Sequence, residues 1–244
     1  MIEVTNLHKS FGAVQAVCGV SFSAPDGQIT GLLGPNGAGK TTTLRILYTL
    51  LEPDQGEACV DGHSCQTEKL EVQRRIGVLP ETHGLYPRLT ARENIRYYGR
   101  LQGLKGEQLE GQIDHMIKLL EMKDIENRRT EGFSSGQRVK VAIARSLVHG
   151  PKNVLLDEPT NGLDVMSTRS MRSFIRRLAE EGKCVLFSSH IMQEVSALCN
   201  QIVILNQGQE IACGTPDELM RATGQANLED AFVSYIGSEE GLVR

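Results

Sequence analysis

The chain is predicted to be an α/β protein with a largely parallel sheet, because short apolar segments alternate along it with helical patterns. The clearest unit is Ile29–Leu33, an apolar segment that runs into a glycine-rich turn and then into a helical pattern over Thr41–Leu51. A second observation is that no strand pattern lies between Glu81 and Gly150, where three helical patterns follow one another. We therefore expect a helical lobe inserted into the sheet domain.

The other elements are assigned from runs of β-branched and apolar residues, from helical spacing and from capping motifs. Further strands are predicted at Ile2–Val4, Val20–Phe22, Ala58–Val60, Ile76–Leu79, Val154–Leu156, Cys184–Phe187 and Ile202–Leu205. The lobe helices are a helix opened by the capping box Thr90–Glu93, a helix with apolar Leu109, Ile113, Met116, Ile117 and Leu120, and a helix with apolar Val139, Ala142, Ile143 and Leu147. After a turn at Gly208, a short helix is predicted to begin at Thr215–Glu218, which combines a capping box with proline at the first helical position.

Composition and charge exclude several classes of protein. A net charge of −4 without a dense Lys/Arg run argues against a face built for nucleic acid. No apolar run approaches the roughly 18 to 20 residues that span a bilayer, and the N-terminal residues lack a signal-peptide pattern. The sequence thus predicts a cytoplasmic chain, for which any membrane role needs a partner. Buried free thiols are predicted for the six scattered cysteines, Cys18, Cys59, Cys65, Cys184, Cys199 and Cys213.

The glycine-rich turn fits the phosphate-binding pattern G-x-x-x-x-G-K-[ST] and lies between a strand and a helix, as that chemistry requires. Backbone N–H groups of such a loop wrap phosphates, the lysine reaches the terminal phosphates, and the threonine hydroxyl ligates Mg²⁺. The residues are Gly34, Pro35, Asn36, Gly37, Ala38, Gly39, Lys40 and Thr41, and the adjoining Thr42 is included in the predicted ATP site. A structural glycine turn before a helix is the alternative.

Two adjacent carboxylates, Asp157 and Glu158, end the apolar strand Val154–Leu156. They are expected at the carboxyl edge of the sheet, where open α/β folds bind ligands. Asp157 would hold Mg²⁺, and Glu158 would act as general base for the water that attacks the γ-phosphate. An acidic pair that merely closes a strand is the alternative.

A third motif, at Phe133–Gln137, opens the last lobe helix. Small residues and a hydroxyl at a helix N-terminus offer N–H groups to an anion, although Ser134 or Ser135 could serve only as a helix cap. The motif resembles the LSGGQ signature of ABC ATPases, with Phe133 for Leu and Ser135 for the first Gly. By this resemblance Ser134, Ser135, Gly136 and Gln137 would grip a nucleotide held by another chain.

The resemblance to ABC ATPases covers nearly the whole chain and assigns smaller motifs. Asp164 in Asn161–Asp164 looks like the D-loop residue at the dimer seam, and His190 looks like the switch histidine that touches the γ-phosphate. Phe11 falls where the family stacks an aromatic ring on adenine, although a core phenylalanine is the competing interpretation. Where the family usually has Gln, this chain has Glu81, which could face the metal but, when ionised, cannot donate a hydrogen bond.

The implied fold is a P-loop NTPase with a RecA-like, mostly parallel sheet, N-terminal antiparallel strands and an inserted helical subdomain. The implied boundaries are 1–80 and 150–222 for the ATP-binding core, 81–149 for the helical signature subdomain, and 223–244 for a helical tail. The implied ligands are ATP and Mg²⁺. Catalytic roles would fall to Lys40, Glu158 and His190, and metal contacts to Thr41, Asp157 and Glu81.

The implied function is ATP hydrolysis that drives a separate ABC-type membrane subunit, with this chain peripheral on the cytoplasmic face of the membrane. A second copy of the chain, or a homologous ATPase subunit, would complete the site. Residues 81–90 and 227–232 look like the ABC-2 exporter branch, which includes sodium-extrusion ATPases. The alternatives are a non-transport ABC ATPase acting on ribosomes or DNA, and a binding module without catalysis.

Overall fold

The computed structural model describes residues 1–82 and 84–237. They form two β-sheets, the helices packed on them and the connecting loops. The first sheet has four antiparallel strands in the order β2-β1-β4-β5. Its strands are β1 (Ile2–Phe11), β2 (Val14–Ala24), β4 (Gln55–Val60) and β5 (His63–Ser64).

The second sheet has six strands in the order β10-β9-β3-β8-β7-β6, all parallel except β10. Its strands are β3 (Ile29–Leu33), β6 (Ile76–Leu79), β7 (Asn153–Asp157), β8 (Cys184–Ser189), β9 (Gln201–Asn206) and β10 (Gln209–Gly214). The mostly parallel sheet with N-terminal antiparallel strands is therefore confirmed. Every predicted strand is present, whereas β5 and β10 were not predicted.

Helices connect the parallel strands and form the lobe. They are α1 (Lys40–Leu47), α2 (Lys69–Arg75), α3 (Ala91–Leu101), α4 (Gly106–Leu119), α5 (Ser135–Leu147), α6 (Val165–Glu180), α7 (Met192–Leu198), α8 (Pro216–Thr223) and α9 (Leu228–Gly237). Within the described range, no helix has both the length and the apolar character needed to span a bilayer.

The predicted extent of the first helix is wrong, because α1 ends at Leu47 and not at Leu51. Thr49 has a φ of 65°, in the left-handed region that ends helices. The N–H groups of Leu50 and Leu51 then both bond to the carbonyl of Arg45, which closes the helix. The chain turns there into the antiparallel sheet.

The three lobe helices α3, α4 and α5 lie where they were predicted, and residues 81–82 and 84–149 contain no strand, only one isolated bridge between Thr90 and Arg129. The capping box that opens α3 is formed: Thr90 Oγ1 accepts from the N–H of Glu93 at 3.1 Å, and Glu93 Oε2 accepts from the N–H of Thr90 at 2.8 Å. These two bonds satisfy N–H groups that would otherwise lack partners at the helix start.

Two hydrophobic cores lie on opposite faces of the six-stranded sheet. Leu155 and Leu186 belong to the core shared with α1 and the antiparallel sheet, whereas their neighbours Leu156 and Phe187 belong to the core shared with the lobe helices and α6. Successive side chains of a strand point to opposite faces, so strands buried on both sides must be apolar throughout. This arrangement brings the carboxyl ends of β3, β8 and β7 side by side.

The prediction of buried thiols is confirmed for Cys65, Cys184 and Cys199 and is wrong for Cys213, which is exposed. Cys18 and Cys59 are half-buried, and all six thiols are free. Burial raises the pKa of Cys65 and of Cys184 to about 12.

Candidate nucleotide site

The glycine-rich loop between β3 and α1 has a backbone path that only glycine allows at two of its positions. A Cβ on Gly34 would lie 2.2 Å from the carbonyl oxygen of Leu205, well inside contact distance. Gly39, which precedes α1, has a φ of 99°, and its Cβ would lie 2.5 Å from the carbonyl oxygen of Ala16. The neighbouring strands therefore fix the loop directly at the N-terminus of a helix, where N–H groups favour anions.

Lys40 lies under this loop with only 6% of its surface exposed. Its Nζ donates hydrogen bonds to the carbonyl oxygens of Gly34 at 2.7 Å and Pro35 at 3.1 Å, and lies 3.6 Å from Glu158 Oε1. Burial lowers the pKa of Lys40, and the nearby carboxylate of Glu158 opposes that shift. The side chain thus joins the loop to the acidic end of β7.

Asp157 is the last residue of β7 and is 2% exposed. Its Oδ1 accepts hydrogen bonds from Ser188 Oγ at 2.6 Å and from Thr41 Oγ1 at 3.2 Å. A hydroxyl and a carboxylate oxygen from two separate elements therefore meet at one point beside the loop. Oxygen atoms of these two kinds are the protein ligands that Mg²⁺ prefers.

Glu158 follows the strand with a φ of 48°, which is unusual for a residue other than glycine. Its N–H donates to Ser188 Oγ at 3.0 Å, and its Oε2 lies 3.0 Å from His190 Nδ1. A carboxylate only accepts, so this contact is a hydrogen bond in the tautomer whose proton is on Nδ1. The two carboxylate oxygens of Glu158 thus face Lys40 and His190.

A pocket of about 670 Å³ lies over these groups, and it brings together most of the predicted site residues. Predicted residues that line it are Phe11, Asn36, Gly37, Ala38, Gly39, Lys40, Thr41, Thr42, Glu81, Glu158 and His190. Gly34, Pro35 and Asp157 are not on its lining and contact Lys40 or Thr41 from behind. The pocket also has walls that were not predicted: Val14, Gln15, Ala16, Asn161 and Gln207.

Phe11 lies at the rim of this pocket, and 49% of its surface is exposed. The Nζ of Lys9 lies 5.6 Å from the centroid of its ring. A phenylalanine in a hydrophobic core would be largely buried, so the competing interpretation of Phe11 as a core residue does not fit its exposure.

The signature residues lie apart from this pocket, at the N-terminus of α5. Ser134 Oγ accepts from the N–H of Gln137 at 3.3 Å, and Gln137 Oε1 accepts from the N–H of Ser134 at 3.1 Å, which forms a capping box. A Cβ on Gly136 would lie 2.8 Å from Ser167 Oγ, and Asp164 caps α6 by accepting from the Ser167 N–H at 2.8 Å. The two helix starts at residues 134–137 and 164 are therefore packed together, and neither lines the pocket of its own chain.

Comparison with known proteins adds the decisive observation: a family model described as ABC transporter matches residues 17–161, more than half of the chain. The chain belongs to the ABC transporter family. It is an ATP-binding subunit, and as an ABC ATPase it hydrolyses ATP. The transporter class is thereby favoured over an ABC ATPase acting on ribosomes or DNA.

Relatives in this family match almost the full chain. The ABC transporter ATP-binding protein NatA of Bacillus subtilis is 45% identical over 242 residues, which cover 97% of this chain and 98% of that protein. The Nod factor export ATP-binding protein I of Burkholderia lata is 34% identical over 221 residues, covering 91% of this chain and 73% of that protein. A solved structure, the dimeric post-hydrolysis state of the ATP-binding cassette MJ0796 bound to ADP and Pi, has a TM-score of 0.79 and 27% identity, with coverage of 88% and 98%. ABC ATPases thus form dimers and work with a membrane subunit.

Four of the five unpredicted walls of the ABC ATPase pocket come from two hairpins, and the fifth, Asn161, lies in the loop after β7. Val14, Gln15 and Ala16 start the second strand of the β1–β2 hairpin, and Gln207 lies in the turn between β9 and β10. Gln207 and Gly208 have φ values of 47° and 79°, as in the tight turns that join antiparallel strands. The Gly208 turn was visible in the sequence, but its contact with the nucleotide loop was not.

Proposed function

We propose that this ABC ATPase hydrolyses ATP with Glu158 as general base, Lys40 on the terminal phosphates and His190 as the group that holds Glu158 and touches the γ-phosphate. The observation that carries the proposal is the Glu158 carboxylate itself, which is 3.0 Å from His190 Nδ1 and 3.6 Å from Lys40 Nζ. A base between a cation and a histidine can take the proton of an attacking water while the phosphate charge is neutralised.

The rest of the nucleotide would be held by the loop and by the hairpin. The N–H groups of Gly34 and of residues 36–42 wrap the phosphates at the start of α1, and Phe11 stacks on adenine from the rim of the pocket. Glu81, on the pocket wall, faces the metal region in the place where the family usually has Gln. Its carboxylate is close enough to favour the charged form of Lys40.

Mg²⁺ would be held by Thr41 Oγ1 and by Asp157, directly or through water, with Glu81 as a third oxygen source. These oxygen donors fit the ion, which supplies charge neutralisation for the phosphates when bound. No group of three or more His, Cys, Asp or Glu side chains suited to a metal occurs in residues 1–82 and 84–237.

A second copy of the chain, or a homologous ATPase subunit, would complete the site with its own Ser134, Ser135, Gly136 and Gln137. Two observations support this: residues 134–137 do not line the pocket of their own chain, and the apolar pair beside Asp164 is exposed, Val165 by 84% and Met166 by 71%. Large exposed apolar side chains at a helix start are typical of a surface that another protein covers.

The chain is proposed to consist of three parts. Residues 1–80 and 150–222 form the ATP-binding core, 81–149 form the helical signature subdomain, and 223–244 form a helical tail. Helix α9 (Leu228–Gly237) falls within the proposed tail, and residues 238–244 lie outside the described part of the chain.

The chain would drive export through a separate ABC-type membrane subunit, from a peripheral position on the cytoplasmic face of the membrane. The name of the Nod factor export relative supports this direction, and sodium or a drug-like molecule is the proposed cargo. Tyr86 is 44% exposed and Tyr97 is 42% exposed, with ring centroids 5.2 Å apart. This aromatic pair lies near the start of the helical lobe, and a cytoplasmic helix of the membrane subunit would dock on it.

The test of the coupled function uses Tyr86→Asp, with Tyr86→Phe as the matched control that keeps the ring. In vesicles that contain the membrane subunit, Tyr86→Asp should abolish most transport while basal ATP hydrolysis by the isolated subunit stays close to wild type. Tyr86→Phe should behave as wild type in both assays. Transport at the wild-type rate by Tyr86→Asp would place the docking surface elsewhere.

A further inference from the structure

Helix α7 carries a buried carboxylate that has no place in the hydrolysis described above. Glu194 is 2% exposed and does not line the nucleotide pocket. Its Oε2 accepts hydrogen bonds from Thr160 Oγ1 at 2.5 Å and from Ser189 Oγ at 3.4 Å. One carboxylate oxygen is therefore shared by hydroxyls from two different segments.

Those two segments are the ones that present Glu158 and His190. Thr160 lies two positions after Glu158, and the turn between them is closed by a bond of 3.1 Å from the N–H of Asn161 to the Glu158 carbonyl. Ser189 immediately precedes His190, and its hydroxyl also accepts from the N–H of Ile191 at 3.0 Å. The distance between the segments that leave β7 and β8 is therefore set partly through the Glu194 oxygen.

A third element reaches the same side chain. Arg172 NH2 lies 3.7 Å from Glu194 Oε1, and Arg172 belongs to α6, the helix that Asp164 caps. Burial of a carboxylate is unfavourable unless hydrogen bonds and opposite charge compensate. Among the described residues, this compensation comes from Thr160 and Ser189, beside the proposed catalytic pair, and from Arg172 of α6, the helix between β7 and β8.

A purely structural role would be to anchor α7, but that role does not need a charge. Val195 and Leu198, the other two buried residues of α7, already pack in the hydrophobic core. Well-packed apolar residues often stabilise a protein as well as a buried ion pair does. Both hydroxyl partners of Glu194, in contrast, are within two residues of Glu158 or His190, which indicates a role in holding those two groups.

We propose that Glu194 is a positioning residue, which holds the Glu158–His190 pair at hydrogen-bond distance by bridging Thr160 and Ser189. This proposal rests on the roles proposed above for Glu158 and His190. Glu194 does not line the nucleotide pocket, so its loss should misplace the base without weakening the binding of ATP. The effect should therefore appear in kcat and not in the affinity for ATP.

The first experiment compares Glu194→Leu, which removes both acceptor oxygens at similar size, with Glu180→Leu, the same change at the exposed end of α6. Phosphate release gives kcat and KM, and titration calorimetry with a non-hydrolysable ATP analogue gives the affinity. Because a misplacement of about 1 Å can cost about 100-fold, kcat of Glu194→Leu should fall about 10- to 100-fold, with affinity within about 2-fold of wild type. Glu180→Leu should keep the wild-type kcat.

The second experiment is a double-mutant cycle with Thr160→Val, which removes one hydroxyl and keeps the branched shape. If both residues act through one hydrogen bond, the double variant should be no slower than Glu194→Leu alone, whereas independent effects would multiply. Should Glu194→Leu fail to fold, Thr160→Val alone decides: a lower kcat with unchanged affinity supports the bridge, and a wild-type kcat overturns it.

The proposal is overturned by a wild-type kcat in Glu194→Leu, by multiplicative effects in the cycle, or by a loss of kcat that only follows a loss of affinity or of folded protein. Glu158→Gln serves as the reference for the underlying assignment. If Glu158→Gln hydrolyses ATP normally, the proposed base is wrong. If it is inactive while Glu194→Leu is normal, only the bridge is wrong.

Discussion

Thr41→Val isolates the proposed metal contact, because valine keeps the branched shape and removes only the hydroxyl. In the structure that hydroxyl donates to Asp157 Oδ1 at 3.2 Å, inside a site where Asp157 is 2% exposed. A hydrogen bond to a charged group contributes about 1.5 to 3 kcal/mol. This bond is long, and Ser188 still donates to the same oxygen at 2.6 Å. The free energy of unfolding without nucleotide should therefore fall by about 1.5 kcal/mol, at the low end of that range.

Thr41→Val should also weaken ATP binding, and this loss of affinity should be larger in the presence of Mg²⁺ than in its absence. Changes to groups that only support a metal ligand already cost about 10- to 100-fold in metal affinity, so loss of a direct ligand should cost at least about 10-fold. Titration calorimetry with ATP, once with Mg²⁺ and once with a chelator, measures this difference. Urea denaturation of the same protein measures the loss of stability.

Thr43→Val is the matched control, because Thr43 lies two residues further along α1 and does not line the pocket. It removes a hydroxyl bond of 3.0 Å to the Gly39 carbonyl, which keeps its bond from the Thr43 N–H at 2.9 Å. Its ATP affinity should respond to Mg²⁺ as the wild type does. If Thr41→Val responds to Mg²⁺ in the same way as Thr43→Val, Thr41 is not a metal ligand and the reasoning from its contact with Asp157 is refuted.

Three further predictions concern the rim, the proposed seam and the thiols. Phe11→Ala should weaken ATP binding by about 1 to 3 kcal/mol, the usual contribution of base stacking, and unchanged affinity in calorimetry would remove Phe11 from the site. Val165→Asp, at a position 84% exposed, should change the stability of the monomer by no more than about 0.5 kcal/mol yet weaken ATP-dependent dimerisation in light scattering. Dimerisation at wild-type strength would exclude this surface from the interface. Burial raises the pKa of Cys65 and Cys184 to about 12, so a thiol reagent at pH 8 should label them only after unfolding; rapid labelling of the native protein would contradict their burial.

The parts of the site that could be predicted are those whose chemistry is local in the chain. Gly39 is required by its own φ of 99°, and Asp157 follows from the end of an apolar strand. The capping box of Ser134 and Gln137 likewise follows from residues three positions apart, although a capping box can begin any helix. The sequence therefore indicates residues that lie in or beside the pocket, and the resemblance to ABC ATPases is needed to interpret the box as more than a cap.

The parts that could not be predicted depend on contacts between distant segments. Strand β10 alternates poorly between apolar and polar residues and is defined by its pairing with β9 across the turn at Gln207. Ala16 enters the pocket because the β1–β2 hairpin packs over Gly39, a contact between residues far apart in the chain. No local pattern reports such a contact, so these walls of the pocket appear only once the fold is known.

Glu194 is an intermediate case, because the sequence pattern marks it as a buried carboxylate but does not identify its partners. It shares one helical face with Val195 and Leu198 at the spacing of a buried stripe, so a carboxylate is placed among core residues. Such a position indicates a buried polar group that must have partners. The identity of those partners, Thr160 and Ser189, depends on the order of strands β7 and β8 in the sheet.

The central claim is that ATP is hydrolysed by Glu158 in a site that a second copy completes, and Glu158→Gln tests it most directly. Glutamine keeps the size of the side chain but cannot accept the proton, so turnover should fall about 10²- to 10⁴-fold while ATP stays bound. Bound ATP should then hold two copies together by mass action. Light scattering after size exclusion at high protein concentration should show a dimer with ATP and Mg²⁺, and a monomer when Lys40→Ala is added to the same protein. Near-normal hydrolysis, or an ATP-loaded Glu158→Gln protein that remains monomeric, would contradict the account.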